Sequence, residues 1–416
     1  MGPYKRFQGG PYQRILPRPL HKVFGAHPCW MENFNASVRH YPVPLSPRIS
    51  NSFACIPHSL FSCKGERACD KMFQMRCNLI QQGYPQGSCF VQVDQGKALA
   101  CEATIKQTDN GVLRRISAVH LSRPENYLSI YQSGCNFSCR KCHSWNFSKV
   151  ATGNWWSAAD VLKACKEYEK EVTLREPRQR ATAFHAHDAC RCCGACVMYG
   201  KRSPLCPKVI QKKDILLSPQ GWGPARNIVA FTGGDLTCCP EFYVECARLI
   251  KSETSLWVLI ETNGYGLTPQ NLDALKEAGV DAFWLDIKAF DEGDHKWLTG
   301  CFNRNILKLP EIILKKGFVL EVLSLYIPGL VEIPQLKKIA QLLFDVNPGI
   351  PFTILGFFPE YQMKRYKSPK VSQMVDAFME VKAVGLRNVR LGNTGVFAST
   401  EQDHHLLKEK VGAGNY

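Results

Sequence analysis

The sequence predicts an α/β fold: a partial (β/α)6 parallel barrel with a small Cys-rich N-terminal subdomain and an inserted cysteine loop. Three observations lead there. From Tyr127 onward, short apolar runs recur without polar alternation, the pattern of strands buried on both faces. Amphipathic segments with helix-start and helix-stop residues separate these runs. Six such repeats suit a curved parallel sheet, whose ligands gather at the C-terminal strand ends.

The 416 residues, 45% of them apolar, are enough to bury a sizeable core. Met1 to Gly10 has no apolar core, so no secretory leader is expected, and no run of about 18 apolar residues predicts a membrane span. Twenty cysteines without a leader point to metal or redox chemistry in a reducing, anaerobic cytoplasm. The formal charge is +16, with Lys5, Arg6, Arg14, Arg18, Lys22, Arg39 and Arg48 facing almost no acids. Such a surface suits an acidic partner, an anionic substrate or simple solvation. No aromatic–basic module is recognisable, so nucleic acid is not expected.

Residues 1–50, rich in Pro, Gly and Arg, read as an extended basic arm. Residues 51–124 form the Cys-rich subdomain, with Cys55, Cys63, Cys69, Cys77, Cys89 and Cys101 and a β-like stretch over 88–93. These six lack a tight pair and read as buried thiols, with a metal site as the alternative. The core domain spans 125–400, the cysteine insert within it 180–225, and a C-terminal tail 401–416. Its strands are expected near 127–131, 228–232, 256–260, 282–285, 318–323 and 351–355. Ser157 with Asp160 forms a capping box before Val161–Tyr168. Helices are also expected over 240–250, 272–276 and 335–344, and Thr268 caps another helix start, with Pro269 at its first position. Gly279 and Gly317 stand at helix C-cap positions.

Cys135, Cys139 and Cys142 form a C-x3-C-x2-C run directly after the first strand. Three adjacent soft thiolates suit an iron–sulfur cluster. A cubane has four irons, so three cysteines leave one iron open; a structural zinc would ask for a fourth ligand. The spacing, Gly134 and the neighbouring aromatics resemble the radical S-adenosylmethionine superfamily. That resemblance implies a [4Fe–4S] cluster on these cysteines whose open iron chelates S-adenosylmethionine.

After the second strand, Thr232-Gly-Gly-Asp resembles the superfamily's Gly-Gly-Glu motif, with Asp235 in place of Glu. Gly233 and Gly234 would let the backbone approach a ligand, expected to be the methionine amino group. Glu261-Thr-Asn-Gly264 and Asp286-Ile-Lys288 look like strand-end segments of pyruvate formate-lyase activating enzyme and its relatives. The resemblance, which covers about 125–400, implies a cofactor-binding set of Lys141, His143, Gly233, Gly234, Asp235, Glu261, Thr262, Asn263, Asp286 and Lys288. At the sixth strand end Phe358 stands where those enzymes carry His.

Between the first helix and second strand, Cys190, Cys193 and Cys196 are spaced C-x2-C-x2-C, and Cys206 precedes Pro207. This resembles a bacterial-ferredoxin run with six extra residues before the last Cys. The resemblance implies an inserted iron–sulfur loop holding a second, auxiliary [4Fe–4S] cluster. Zinc, or ligation by Cys192, is the alternative. Electron relay, substrate ligation and a structural staple are all open roles. Cys238 and Cys239 follow the Gly-Gly-Asp turn and could donate a hydrogen atom or be structural thiols.

The function expected is hydrogen abstraction from a protein or peptide, by glycyl-radical activation or another modification. A reduced flavodoxin- or ferredoxin-type donor would supply electrons. A radical enzyme acting on a small anionic metabolite and a two-cluster electron-transfer protein are the rivals.

Overall fold

The computed structural model describes residues 77–416. The expected arm over 1–50 and Cys55, Cys63 and Cys69 lie outside the described residues. Strands β1 (Phe90–Val93) and β2 (Gly96–Leu99) form a separate antiparallel pair. Strands β3 (Ile105–Thr108) and β4 (Gly111–Ser122) lead antiparallel into β5 (Tyr127–Gln132). Thus β4, expected in the N-terminal subdomain, is hydrogen-bonded into the main sheet. Strand β6 (Asn154–Trp156) pairs with β4, and β7 (Leu216–Ser218) with β8 (Gly221–Gly223).

From β5 the sheet continues in parallel through β9 (Ile228–Gly233), β10 (Trp257–Thr262), β11 (Ala282–Asp286), β12 (Val319–Tyr326), β13 (Phe352–Gly356) and β14 (Val389–Gly392). It stays open, with β14 at one edge, so the barrel is partial and carries one parallel strand beyond the expected six. Register sets side chains in rows. Glu261 lies beside Trp284, and Trp284 beside Glu321.

Helices cover the outer face. In α1 (Ala158–Lys170) the Ser157–Asp160 capping box is formed, satisfying donors that a helix start leaves open. Helix α2 (Glu241–Glu253) packs Phe242 and Tyr243 on Phe231, at ring-centroid distances of 6.4 and 5.5 Å. Burial of each such ring contributes roughly 1.5–3 kcal/mol. In α3 (Pro269–Glu277) the Thr268 hydroxyl accepts from the Asn271 N–H. Helices α4 (Glu292–Thr299), α5 (Leu309–Lys315), α6 (Ile333–Val346), α7 (Val371–Ala383) and α8 (Glu401–Lys410) follow. The last of these makes the expected tail a packed helix, with Leu407 fully buried.

The chain after α1 takes a path that the sequence pattern did not reveal. Ala181 and Ala183 pack against Tyr127, Ile228 and Ala230, closing the N-terminal mouth of the barrel. The Phe184 N–H donates to Glu321 Oε2 at 2.8 Å. Buried Arg226 ties this plug down through the carbonyls of Arg180 and Thr182, at 2.7 and 2.8 Å, and an ion pair with Glu176.

Candidate active site

The Cys135–Cys142 loop leaves the C-terminal end of β5 and is pinned from three sides. Its Asn136 N–H donates to the Asp235 carbonyl at 2.9 Å, and the Ser138 and Arg140 N–H groups donate to the carbonyls of Thr299 and Leu298. From β4, fully buried Arg114 donates through Nη2 to the Ser133 carbonyl at 3.0 Å. Sequence reasoning missed Arg114. The available signal was its place on the buried side of the Val112, Arg114, Ile116 alternation.

Cys135, Cys139 and Cys142 all line one cavity of about 230 Å³. Lys141, His143, Gly233, Asp235, Glu261, Thr262, Asn263, Asp286 and Lys288 line it with them. Of the expected set only Gly234 is absent. Its role is a close approach of a different kind: a Cβ there would lie 2.1 Å from the Gly134 carbonyl oxygen. The Gly-Gly turn therefore makes room for the cysteine loop at this position.

Asp235 is similarly occupied. Oδ2 accepts from the Thr262 hydroxyl at 2.7 Å and the Asn263 N–H at 2.8 Å, and Oδ1 from the Thr237 N–H at 2.9 Å. The shorter carboxylate thus locks the Thr-Asn-Gly turn. In turn the Asn263 amide reaches Asn136 Oδ1 at 2.7 Å and Cys135 Sγ at 3.7 Å.

Burial raises the Cys135 thiol and pushes Cys139 up to about 12. Thiols held so far from ionisation become thiolates when a cation binds them. Burial, with Lys288 nearby, pulls Lys141 down to about 8, and its Nζ lies 3.5 Å from the Phe358 ring centroid. Burial works against the charge on Lys288 too, but the Asp286 carboxylate paired with it leaves it raised overall. His143 is pulled down to about 3 by burial and then by both lysines, and packs edge-on against Phe358. The aromatic substitution at position 358 therefore contacts both expected cofactor-facing neighbours of Cys142.

A second cavity of about 120 Å³ is lined by Cys190, Cys193, Cys196 and Cys206 together. Cys192 does not line this cavity; at a φ of +53° its N–H donates to Cys190 Sγ at 3.3 Å and its Sγ lies 3.2 Å from Asn126 Oδ1. Asn126 immediately precedes β5, whereas Cys135 follows it. The two thiol sites therefore lie at opposite ends of the barrel, about 20 Å apart by strand rise. His185 holds Asp188 Oδ2 at 3.0 Å, in a network with Arg180 and Arg390. Cys238 and Cys239 do not line the large cavity. Cys238 packs with Leu79, Val91 and Leu99 of the N-terminal subdomain, and Cys239 lies against the same cluster. Among the described residues, no three His, Cys, Asp or Glu side chains are drawn together tightly enough to hold a single ion.

The parallel sheet, the thiol loop at the end of its first strand and the three strand-end motifs are similar to a radical S-adenosylmethionine domain of the activating-enzyme branch. The Radical SAM superfamily model matches residues 188–343, a stretch beginning after the Cys135 loop. The chain is 28% identical over 171 residues to a Methanocaldococcus jannaschii protein named as a glycyl-radical enzyme activating enzyme, covering 40% of this chain and 61% of the relative. It is 25% identical over 204 residues to the 4-hydroxyphenylacetate decarboxylase activating enzyme of Clostridium scatologenes, covering 46% and 64%. It is 27% identical over 120 residues to the pyruvate formate-lyase-activating enzyme of Clostridium pasteurianum, covering 29% and 49%. The chain thus spans about half to two thirds of the length of these curated relatives.

The family implies a [4Fe–4S] cluster and S-adenosylmethionine. The residues present fit both groups. Three soft thiols share one wall, two ammonium groups stand near them, and buried Asp286 Oδ1 has no partner in the protein.

Proposed function

We propose that the chain is a radical S-adenosylmethionine enzyme that abstracts hydrogen from a protein or peptide, by glycyl-radical generation or another modification. The observation that carries this reading is the convergence of Cys135, Cys139 and Cys142 on one cavity with Asn263, Asp286 and Lys288. When bound, the cluster and S-adenosylmethionine supply one electron and a 5′-deoxyadenosyl group for hydrogen-atom abstraction. The chain's own residues bind and orient. The three cysteines are the ligands, and Asn263, fixed by Asp235, holds the loop beside Cys135. Lys288 and Asp286 present a paired charge to the cavity. Gly233, Thr262, Lys141 and His143 complete the cofactor-facing wall, Glu261 stands where that wall meets the rest of the cavity, and Arg114 positions the loop from behind.

Cys190, Cys193, Cys196 and Cys206 are proposed as ligands of a second [4Fe–4S] cluster. Support comes from their ferredoxin-like spacing and their shared cavity. Its place at the far end of the barrel favours electron relay or a staple over substrate ligation. The core domain with its inserted cysteine loop, a reduced flavodoxin- or ferredoxin-type donor and a cytoplasmic, anaerobic setting belong to the same proposal. No helix among the described residues is long and apolar enough to cross a membrane.

Anaerobic protein with a strong reductant should release 5′-deoxyadenosine slowly without substrate, and Cys142→Ala should abolish that release. S-adenosylhomocysteine as the main product would replace this mechanism with methyl transfer. Absence of both products would leave the two-cluster electron-transfer reading.

A further inference from the structure

The large cavity has two ends, and at the cysteine end the carboxylates are partnered: Asp286 pairs with Lys288, and Asp235 accepts from Thr262, Asn263 and Thr237. Lys141, His143 and Lys288 lie at the cysteine end. The other end, lined by Ser122, Glu125, Ser129, Tyr131, Glu261 and Trp284, carries two carboxyl groups. Resting on the reading above only in giving the cysteine end to S-adenosylmethionine, we propose that the carboxyl end is a substrate subsite. It would take a cationic nitrogen, ammonium or guanidinium, carried beside a carbonyl-type acceptor.

Glu125 is 7% exposed, and its Oε2 has no hydrogen-bond partner in the protein. Trp284, in the next row, has an Nε1–H that is likewise unpartnered. Glu261 accepts from the Tyr127 hydroxyl at 2.9 Å and the Thr232 hydroxyl at 2.5 Å, both neutral donors. Among the described residues neither carboxyl has an ion-pair partner. The two guanidinium groups nearest Glu125 are committed elsewhere. Arg226 donates to the carbonyls of Glu125 and Thr182 and pairs with Glu176. Arg123 donates to Asn126 Oδ1 at 2.7 Å and the Gly223 carbonyl at 2.9 Å.

Buried carboxyls without counter-charge are costly to ionise. Burial accordingly raises Glu125 to about 7 and Glu261 to about 8. An entering cation would meet Glu125 Oε2 in a charge-assisted hydrogen bond and lie near the Trp284 ring. An acceptor next to it would meet Trp284 Nε1. Ala181, Ala183 and Phe184 close the barrel mouth behind this end, so a molecule anchored at Glu125 extends toward the cysteines. A lysyl or arginyl residue of a peptide has both features. An anionic metabolite would put like charge against Glu125 and Glu261.

The test uses full-length, anaerobically reconstituted protein. Binding of Nα-acetyl-lysine amide and Nα-acetyl-arginine amide is compared by calorimetry with that of the neutral Nα-acetyl-norleucine amide. S-adenosylmethionine binding is measured separately by equilibrium dialysis. The cationic probes should bind about tenfold or more tightly than norleucine amide. Glu125→Gln should erase that preference, Glu125→Asp should keep part of it, and neither should change S-adenosylmethionine affinity. Equal binding of charged and neutral probes to the wild type overturns the proposal, whether or not the variants fold. So does a preference that survives Glu125→Gln. Loss of S-adenosylmethionine binding with the cationic preference intact would instead overturn the reading of the cysteine end.

Discussion

Gly234 and Gly134 meet backbone to backbone, with the Gly134 carbonyl oxygen 2.1 Å from where a Cβ on Gly234 would stand. This contact couples the strand-end turn that carries Asp235 to the loop that carries the three cysteines. The obstacle is a carbonyl group, not a flexible side chain, so the two segments cannot accommodate even a methyl group without moving apart.

Gly234→Ala should therefore destabilise the fold by roughly 3 kcal/mol or more, toward the upper end of overpacking costs. The same displacement should lower iron loading at the Cys135 site. Thermal denaturation and iron analysis of the anaerobically purified variant check both. A variant with wild-type melting temperature and iron content would show that the loops yield freely.

Reconstituted wild-type protein should hold about eight irons per chain, four for each cysteine motif. Changing Cys135, Cys139 and Cys142 together to Ala should leave about four. Unchanged iron in the triple variant would refute the ligand assignment.

The Cys190, Cys193, Cys196 and Cys206 quadruple Ala variant should retain S-adenosylmethionine binding, because its cavity lies at the other end of β5. If the site relays electrons, coupled turnover on the true substrate should fall. If it is a staple, a folding defect alone should appear, as expected when a metal holds a long insert. Zinc without iron at this site, in protein purified without air, would remove the cluster itself.

The buried carboxyls of Glu125, Glu261 and Glu321 should take stability away as pH rises from about 4.5 to 8, a loss that buried His143, held down at about 3, opposes below about 6.5. Burial holds the folded-state carboxyls of Glu125, Glu261 and Glu321 at about 7, 8 and 7. Over that window these folded carboxyls keep protons that the unfolded chain has released, so their contribution to the slope of unfolding free energy against pH is negative. The contribution is fully present below the unfolded glutamate value, near 4.3, and lost as pH passes the folded values. Denaturant unfolding from pH 5 to 8.5 should show a shallower decline in Glu321→Gln than in the wild type. An identical slope in the two proteins would contradict it.

Local chemistry made much of this protein legible in its sequence. Continuous apolar runs marked the parallel strands because both faces of each are covered. Ser157, Asp160 and Thr268 marked helix starts because an open helix end needs side-chain acceptors. The C-x3-C-x2-C and C-x2-C-x2-C spacings grouped thiols that the fold indeed brings to two cavities, because loop ligands close in sequence stay close in space. What depends on segments far apart in the chain was decided only by the tertiary structure. Residues 181–184 plug the barrel mouth because Arg226 and Glu321, remote in sequence, offer the hydrogen-bond partners their backbone needs. The cysteine insert follows that plug to the end opposite the Cys135 loop. Arg114 reaches the loop through strand pairing, and Glu125 meets the row of Glu261 and Trp284 through barrel curvature. Their isolation from water, which gives each of them its chemistry, exists only once the strands have closed around them.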